Sequence, residues 1–161
     1  MFDLFQHVEQ PKELRPHQVK AIQMLRELVA NGNKRVVVAM PTGSGKTVTA
    51  ATIIKGAHAK GNQVIFTAPA VSLIDQTVRA LEAEGIRDIG VMQANHPRTN
   101  PLAQVQVASV QTLAKREIPP AAVIIVDEAH IRSTVIERLM DERLDVVFIG
   151  LSATPWAKGM G

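Results

Sequence analysis

The chain has 161 residues, 46% of them hydrophobic, and a formal net charge of +3, which suits one domain with a sizeable core and neither demands nor forbids a polyanionic partner. It has no cysteine, so disulfide frameworks and thiolate metal centres are excluded. No apolar run reaches the ~18 to 20 residues that span a bilayer, and the opening "MFDLFQHVEQPKEL" lacks the charged-then-apolar order of a secretory signal, so a cytoplasmic or nucleoid-associated protein with no membrane partner is expected.

Residues 1–13 read as an N-terminal extension. From Pro16 to Val29 the sequence places Val19, Ile22, Leu25, Leu28 and Val29 on one helical face, with Pro16 near the start and Gly32 past the end, and predicts a helix against a sheet edge. Six aliphatic runs follow as strands: "RVVVAM" (35–40), "QVIFTA" (63–68), "DIGVM" (88–92), "VQVAS" (105–109), "AVIIVD" (122–127) and "VVFIGL" (146–151). Most are nearly continuous in hydrophobicity, which favours parallel strands buried on both faces. Residues 47–60, 72–84 and 131–143 have the length of crossover helices, and Ser72 with Asp75 has capping-box spacing at the start of the second. The segment "QANHPRTNPL" (93–102), with two prolines and two asparagines, predicts an exposed loop. The expectation is a single α/β domain over 1–161 with a mostly parallel central sheet and helices on both faces.

Between the first strand and its helix lies "MPTGSGKT", Met40 to Thr47. A helix N-terminus presents unpaired N–H groups and the positive end of a dipole, and so favours an anion. Gly43 and Gly45 let the backbone wrap phosphate oxygens, Lys46 brings a cation to the β and γ groups, and Thr47 offers a hydroxyl to magnesium. The strict pattern has glycine where this chain has Met40, but "GKT" is intact.

A magnesium nucleotide needs a further carboxylate at the end of a buried strand on the same edge of the sheet, and "AVIIVDEAH" supplies one. Asp127 is placed to hold magnesium, and Glu128 to orient and deprotonate an attacking water. Two acids directly after a buried strand are costly unless a positive group neutralises them. The histidines His7, His17, His58, His96 and His130 include no pair at i, i+4 spacing, so no zinc site is expected.

With these two motifs in place, the chain resembles the superfamily 2 helicases and translocases, in the first of their two RecA-like motor lobes, a P-loop NTPase fold. "LRPHQ" resembles the segment whose glutamine reads adenine, which implies Gln18 with Arg15 nearby. "MPTGSGKT" and "DEAH" resemble the family's phosphate loop and magnesium box. They imply ATP and Mg2+ as ligands, Thr42, Gly43, Ser44, Gly45, Lys46 and Thr47 around the nucleotide, Thr47 and Asp127 at the metal, and Lys46, Asp127 and Glu128 in hydrolysis. "TAPAVSLIDQ" and "ASVQTL" resemble segments that touch the nucleic-acid backbone, implying Pro69, Ala70, Ser109, Gln111 and Thr112, and "GLSATP" resembles the coupling motif, implying Ser152 and Thr154 with His130 as the link. The motif details are similar to the XPB-like and type I restriction motor branch. That similarity implies DNA, duplex before RNA, as the partner.

The resemblance also implies a second RecA-like lobe, which supplies an arginine finger and half of the nucleic-acid track. No stretch of this sequence matches it, so a lobe with little activity of its own is expected. Arg132, Arg138 and Arg143 after "DEAH" have the spacing of a solvated helix face. A nucleotide-binding switch without hydrolysis is the alternative reading, while a nucleotide kinase lacks a candidate acceptor pocket and lid.

Overall fold

The computed structural model describes residues 14–40 and 43–153. In chain order these form α1 (Pro16–Ala30), β1 (Arg35–Ala39), α2 (Gly43–Ala59), β2 (Val64–Ala68), a 3-10 turn at Val71–Leu73, α3 (Ile74–Ala83), β3 (Ile89–Met92), β4 (Val105–Ser109), α4 (Val110–Lys115), β5 (Val123–Asp127), α5 (Thr134–Glu142) and β6 (Val147–Ser152). The six strands make one sheet in the order β1-β6-β5-β2-β4-β3, and every pairing is parallel. This is the expected RecA-like architecture.

Continuous hydrophobicity has its expected meaning, because β2, β3, β4 and β6 are buried at every position. Successive strand residues face opposite ways, so each run feeds two cores. Val64, Phe66, Ile125, Ile149 and Leu151 pack with Leu25, Ala50, Ile54, Val78 and Leu81 of α1, α2 and α3. Ile65, Ile124, Val126 and Phe148 pack on the other side with Leu113, Ile136 and Leu139 of α4 and α5. The result is three layers, with helices on both faces of the sheet.

Helix α1 leans on the edge strand β1 and on α2, as anticipated, but its buried arc is narrower than the sequence stripe. Ile22 and Leu25 are buried and Val29 packs against the core, whereas Val19 and Leu28 are each 40% exposed. A helix on the rim of a sheet has neighbours on one side only, and Gln18 takes a buried position at its start.

The Ser72–Asp75 capping box does not form. The chain leaves β2 through the 3-10 turn, α3 starts at Ile74, and Leu73 at the cap position makes no side-chain cap bond. The tighter turn, closed by the Leu73 N–H on the Ala70 carbonyl at 3.1 Å, shifts the helix start. The Asp75 carboxylate instead meets His96 Nε2 at 2.7 Å. At α5 the helix begins at Thr134 rather than 131, capped by the Ser133 hydroxyl, which accepts from the Ile136 N–H at 3.3 Å. Helix α2 begins earlier than expected, at Gly43, and the short α4 was not foreseen as a separate element.

The loop 93–102 covers the outer edge of β3, an edge that would otherwise offer unpaired backbone groups. The Val91 N–H donates to the Arg98 carbonyl at 3.0 Å, Arg98 pairs with Glu82 at 2.9 Å, and His96 pairs with Asp75. The loop lies so close to β3 that a Cβ on Gly90 would collide with the Asn100 carbonyl oxygen and reach Ala103 Cβ at 3.1 Å. Gly90→Ala is expected to destabilise the domain by about 1 to 3 kcal/mol through this overpacking. Urea unfolding of both forms measures it, and unchanged stability would contradict the described packing of loop on strand.

Candidate functional site

A parallel sheet delivers the carboxyl ends of all its strands to one edge, so the loops after β1, β2, β4, β5 and β6 converge there. The register fixes the neighbours: Ala39 lies beside Ser152, Leu151 beside Asp127, and Ala68 beside Ser109. Strand β6 therefore separates the phosphate-loop strand from the acidic strand, and Lys46 at the start of α2 reaches across to Asp127 and Glu128.

The Lys46 ammonium is 3.0 Å from Asp127 Oδ1 and also forms an ion pair with Glu128 Oε1. The three side chains are mostly buried, with exposures of 14%, 21% and 29%. Burial by itself lowers the Lys46 pKa. Hydrogen bonds and charge from both carboxylates outweigh that cost and hold it above its ordinary value of 10.5, so Lys46 remains a cation.

Backbone geometry makes the double contact reachable. Glu128 has φ +53°, in the left-handed region, and its N–H turns back to Asp127 Oδ1 at 2.9 Å. The Ala129 N–H donates to the Leu151 carbonyl at 2.9 Å, and the Ile131 N–H closes the turn on the Glu128 carbonyl at 2.9 Å. Such a φ costs a non-glycine residue about 1 to 2 kcal/mol, a form of strain that clusters at functional sites. A Cβ on Gly150 would lie 2.7 Å from Ala129 Cβ, so the glycine of β6 admits this turn against the sheet.

His130 connects the acidic turn to β6. Its Nδ1 is 2.9 Å from the Ser152 hydroxyl, and its Nε2 is 3.4 Å from Glu128 Oε2. The Ser152 carbonyl accepts the Met40 N–H at 2.8 Å. A continuous set of contacts thus runs from Lys46 through Glu128, His130 and Ser152 back to Met40, at the start of the phosphate loop.

A cavity of about 440 Å³ opens over this cluster, lined by Lys46, Thr47, Asp127 and Glu128. Its far wall includes Gln76 and Thr77 of α3, with Phe66 and Leu73. No sequence signal marked these residues as part of the nucleotide site, although Leu73 and Gln76 lie in "TAPAVSLIDQ"; the packing of α3 beside α2 brings Gln76 and Thr77 to the cavity. The donor set fits a magnesium-bound polyphosphate: one cation at a helix N-terminus, two carboxylates and a hydroxyl face the same space.

The remaining expected residues divide into three groups. Arg15 and Gln18 sit at the start of α1, outside the lining of this cavity, and Gln18 Oε1 accepts the Arg15 N–H at 2.8 Å. Thr42 and Thr154 lie outside the described residues, Gly43 and Ser44 open α2, and Gly45 is buried. Pro69 and Ala70 follow β2 and Gln111 is exposed on α4, while Ser109 is buried. The Ser109 hydroxyl caps α4 by accepting the Thr112 N–H at 3.1 Å and lies 3.1 Å from the Thr112 hydroxyl.

Comparison with known proteins agrees with the fold. The family described as "Type III restriction enzyme, res subunit" matches residues 11–157. The EcoAI endonuclease subunit, a type I restriction enzyme of Escherichia coli, is 32% identical over 89% of this chain and 20% of its own length. The Sulfolobus solfataricus SWI2/SNF2 ATPase core in complex with dsDNA shares the fold with a TM-score of 0.72 at 17% identity, over 98% of this chain and 36% of that one. The UvsW helicase from Bacteriophage T4 also gives a TM-score of 0.72 at 17% identity, over 89% of this chain and 53% of its own. This chain spans about a tenth to a quarter of the length of the curated relatives it matches.

The backbone strain at residue 128 is separable from its side-chain chemistry. Glu128→Gly and Glu128→Ala both remove the carboxylate, but only glycine adopts φ +53° without penalty. The glycine variant is expected to be more stable by about 1 kcal/mol, read by chemical denaturation. Equal stability would mean that the turn is not left-handed.

Proposed function

This chain belongs to the type III restriction enzyme, res subunit, family as a first RecA-like lobe of the superfamily 2 motors, and we propose that it binds Mg-ATP and couples its hydrolysis to DNA. The observation that carries the proposal is Lys46 held between Asp127 and Glu128 at the mouth of one cavity. An arriving polyphosphate competes with the carboxylates for the Lys46 ammonium and leaves the two acids available for other work.

In this reading Lys46 neutralises the β and γ phosphates, and the N–H groups at the start of α2, around Thr42, Gly43, Ser44 and Gly45, cradle them. Thr47 and Asp127 hold magnesium, which supplies charge neutralisation on the phosphates when bound. Glu128, released from Lys46, orients a water and accepts its proton. Gln18, fixed by its bond to the Arg15 N–H, addresses the adenine with its amide NH2 group. His130 and Ser152, with Thr154, convey the state of Glu128 to β6.

DNA is proposed to lie across the same sheet edge, against the loops after β2 and β4. Pro69, Ala70, Gln111 and Thr112 are the contacting residues, and Ser109 acts through the helix cap that orients Thr112. Backbone and hydroxyl contacts of this kind read phosphates rather than bases. The likeness to a motor core captured with dsDNA supports duplex DNA as the partner.

Arginines that follow β5 are engaged elsewhere. Arg132 pairs with Glu137 at 2.8 Å, Arg138 lies 3.7 Å from Glu142, and Arg143 donates to the Ile118 carbonyl at 3.2 Å. These contacts support an arginine finger that comes from a second RecA-like lobe, a contribution worth about 10³ to 10⁵ in rate.

Two experiments test the proposal. Lys46→Ala is expected to abolish measurable Mg-ATP binding by calorimetry while the domain stays folded, and Glu128→Gln to keep binding. In a two-lobed protein Glu128→Gln is expected to lower DNA-stimulated turnover by about 10² to 10⁴. Parental affinity in folded Lys46→Ala, or parental turnover in Glu128→Gln, removes that residue from its role. This chain alone is expected to release phosphate slowly, with strong acceleration by a matching second lobe and DNA. Nucleotide binding without turnover even then identifies a switch module, and rapid DNA-stimulated turnover by the monomer places the finger within these residues.

A further inference from the structure

Met40 stands where the strict phosphate-loop pattern has glycine, and it is 1% exposed. Its N–H donates to the Ser152 carbonyl at 2.8 Å, and its thioether sulfur accepts the Thr49 hydroxyl at 3.3 Å. Thr49 is fully buried on α2, three residues beyond Lys46. Threonines inside helices commonly bond back to the carbonyl four residues earlier, as Thr52 does to Val48 at 2.9 Å. The Thr49 hydroxyl reaches across to the end of β1 instead.

This contact joins the first residue of the phosphate loop to the first turns of the helix after it. Glycine at position 40 has no side chain to make it, and leucine fills the volume without an acceptor. Methionine supplies both the apolar bulk and a soft acceptor. Its N–H anchor on Ser152 sets the same point against β6, the strand whose Ser152 hydroxyl meets His130.

We propose that Met40 and Thr49 are positioning residues of the phosphate loop: their contact fixes the span between β1 and α2, so that Lys46 and the N–H groups of the first turn are held in place before nucleotide arrives. A preorganised loop loses less freedom on binding, and so binds more tightly. This inference rests on the nucleotide reading of the site for its effect on affinity, but the contact itself has a readout that needs no nucleotide.

The test is a double-mutant cycle of Thr49→Val and Met40→Leu with Thr49→Ser as the conservative variant. It is read by Mg-ATP calorimetry and by amide hydrogen exchange of residues 42–47 in the nucleotide-free chain. Each single variant is expected to weaken Mg-ATP binding about threefold to tenfold, the scale of one modest hydrogen bond, and to speed exchange in the loop. Thr49→Ser is expected to restore both, and the double variant to be no worse than the worse single one, because both remove the same contact. Parental affinity and exchange in Thr49→Val, a change in thermal stability alone, or fully additive losses would each overturn the proposal. If Met40→Leu does not fold, the Val and Ser variants at position 49 decide it. If the parent chain fails to bind Mg-ATP, the nucleotide reading falls, while loop exchange still decides whether the clamp exists.

Discussion

Six parallel strands share one carboxyl edge, and the chemistry of the chain depends on that constraint. Each strand returns through a crossover, so loops separated by tens of residues in sequence emerge side by side. Because β6 lies between β1 and β5, the phosphate loop and the acidic turn are held one strand apart. That separation lets Lys46 meet both carboxylates, while the backbone of the intervening strand receives the Ala129 and Met40 N–H groups. In an antiparallel sheet of the same order β6 would run against its two neighbours, and Ser152 would sit at the opposite end from both the phosphate loop and the acidic turn.

One cation serves two carboxylates at that edge, so their charge is partly offset within the chain. Two adjacent acids would repel one another and resist burial, and the Lys46 cation relieves both costs. Ordering this cluster requires a left-handed residue at 128 and a glycine at 150 to admit the turn. The local strain is therefore matched by ion pairing and by backbone bonds to β6. A site held together by the pairing of its own charged groups is one that an anion can rearrange, since a ligand that draws Lys46 away changes the surroundings of Glu128 and, through His130, of Ser152.

Outside the site, the fold deals separately with its two open edges. The β3 edge is covered by the loop 93–102, tied to α3 by an Arg98–Glu82 pair and a His96–Asp75 contact. At the other rim, β1 pairs only with β6 among the described residues, and α1 covers one of its faces. Val37 on its other face is 53% exposed above a cavity of about 390 Å³ that also contains Ile131 and Gly150.

Much of this was legible in the sequence, for a local reason. Near-continuous aliphatic runs such as 105–109 and 122–127 have one stable placement, in a sheet covered on both sides, and the "GKT" and "DEAH" motifs mark strand ends because phosphate and acidic groups cannot sit mid-sheet. What the sequence left open depended on who the neighbours are. Whether Val19 or Leu28 is buried depends on how far α1 overhangs β1, and whether Ser72 caps α3 depends on how the chain turns after β2. Gln76 and Thr77 line the cavity only because α3 packs beside α2, and Thr49 finds Met40 only because a helix folds back over the strand before it. Sequence alone determined the parallel α/β class and the chemical character of the loops, since burial and charge act residue by residue. The tertiary structure decided the strand order, the left-handed turn at Glu128 and the partners of Lys46 and His130, because these depend on the directions in which distant segments approach one another.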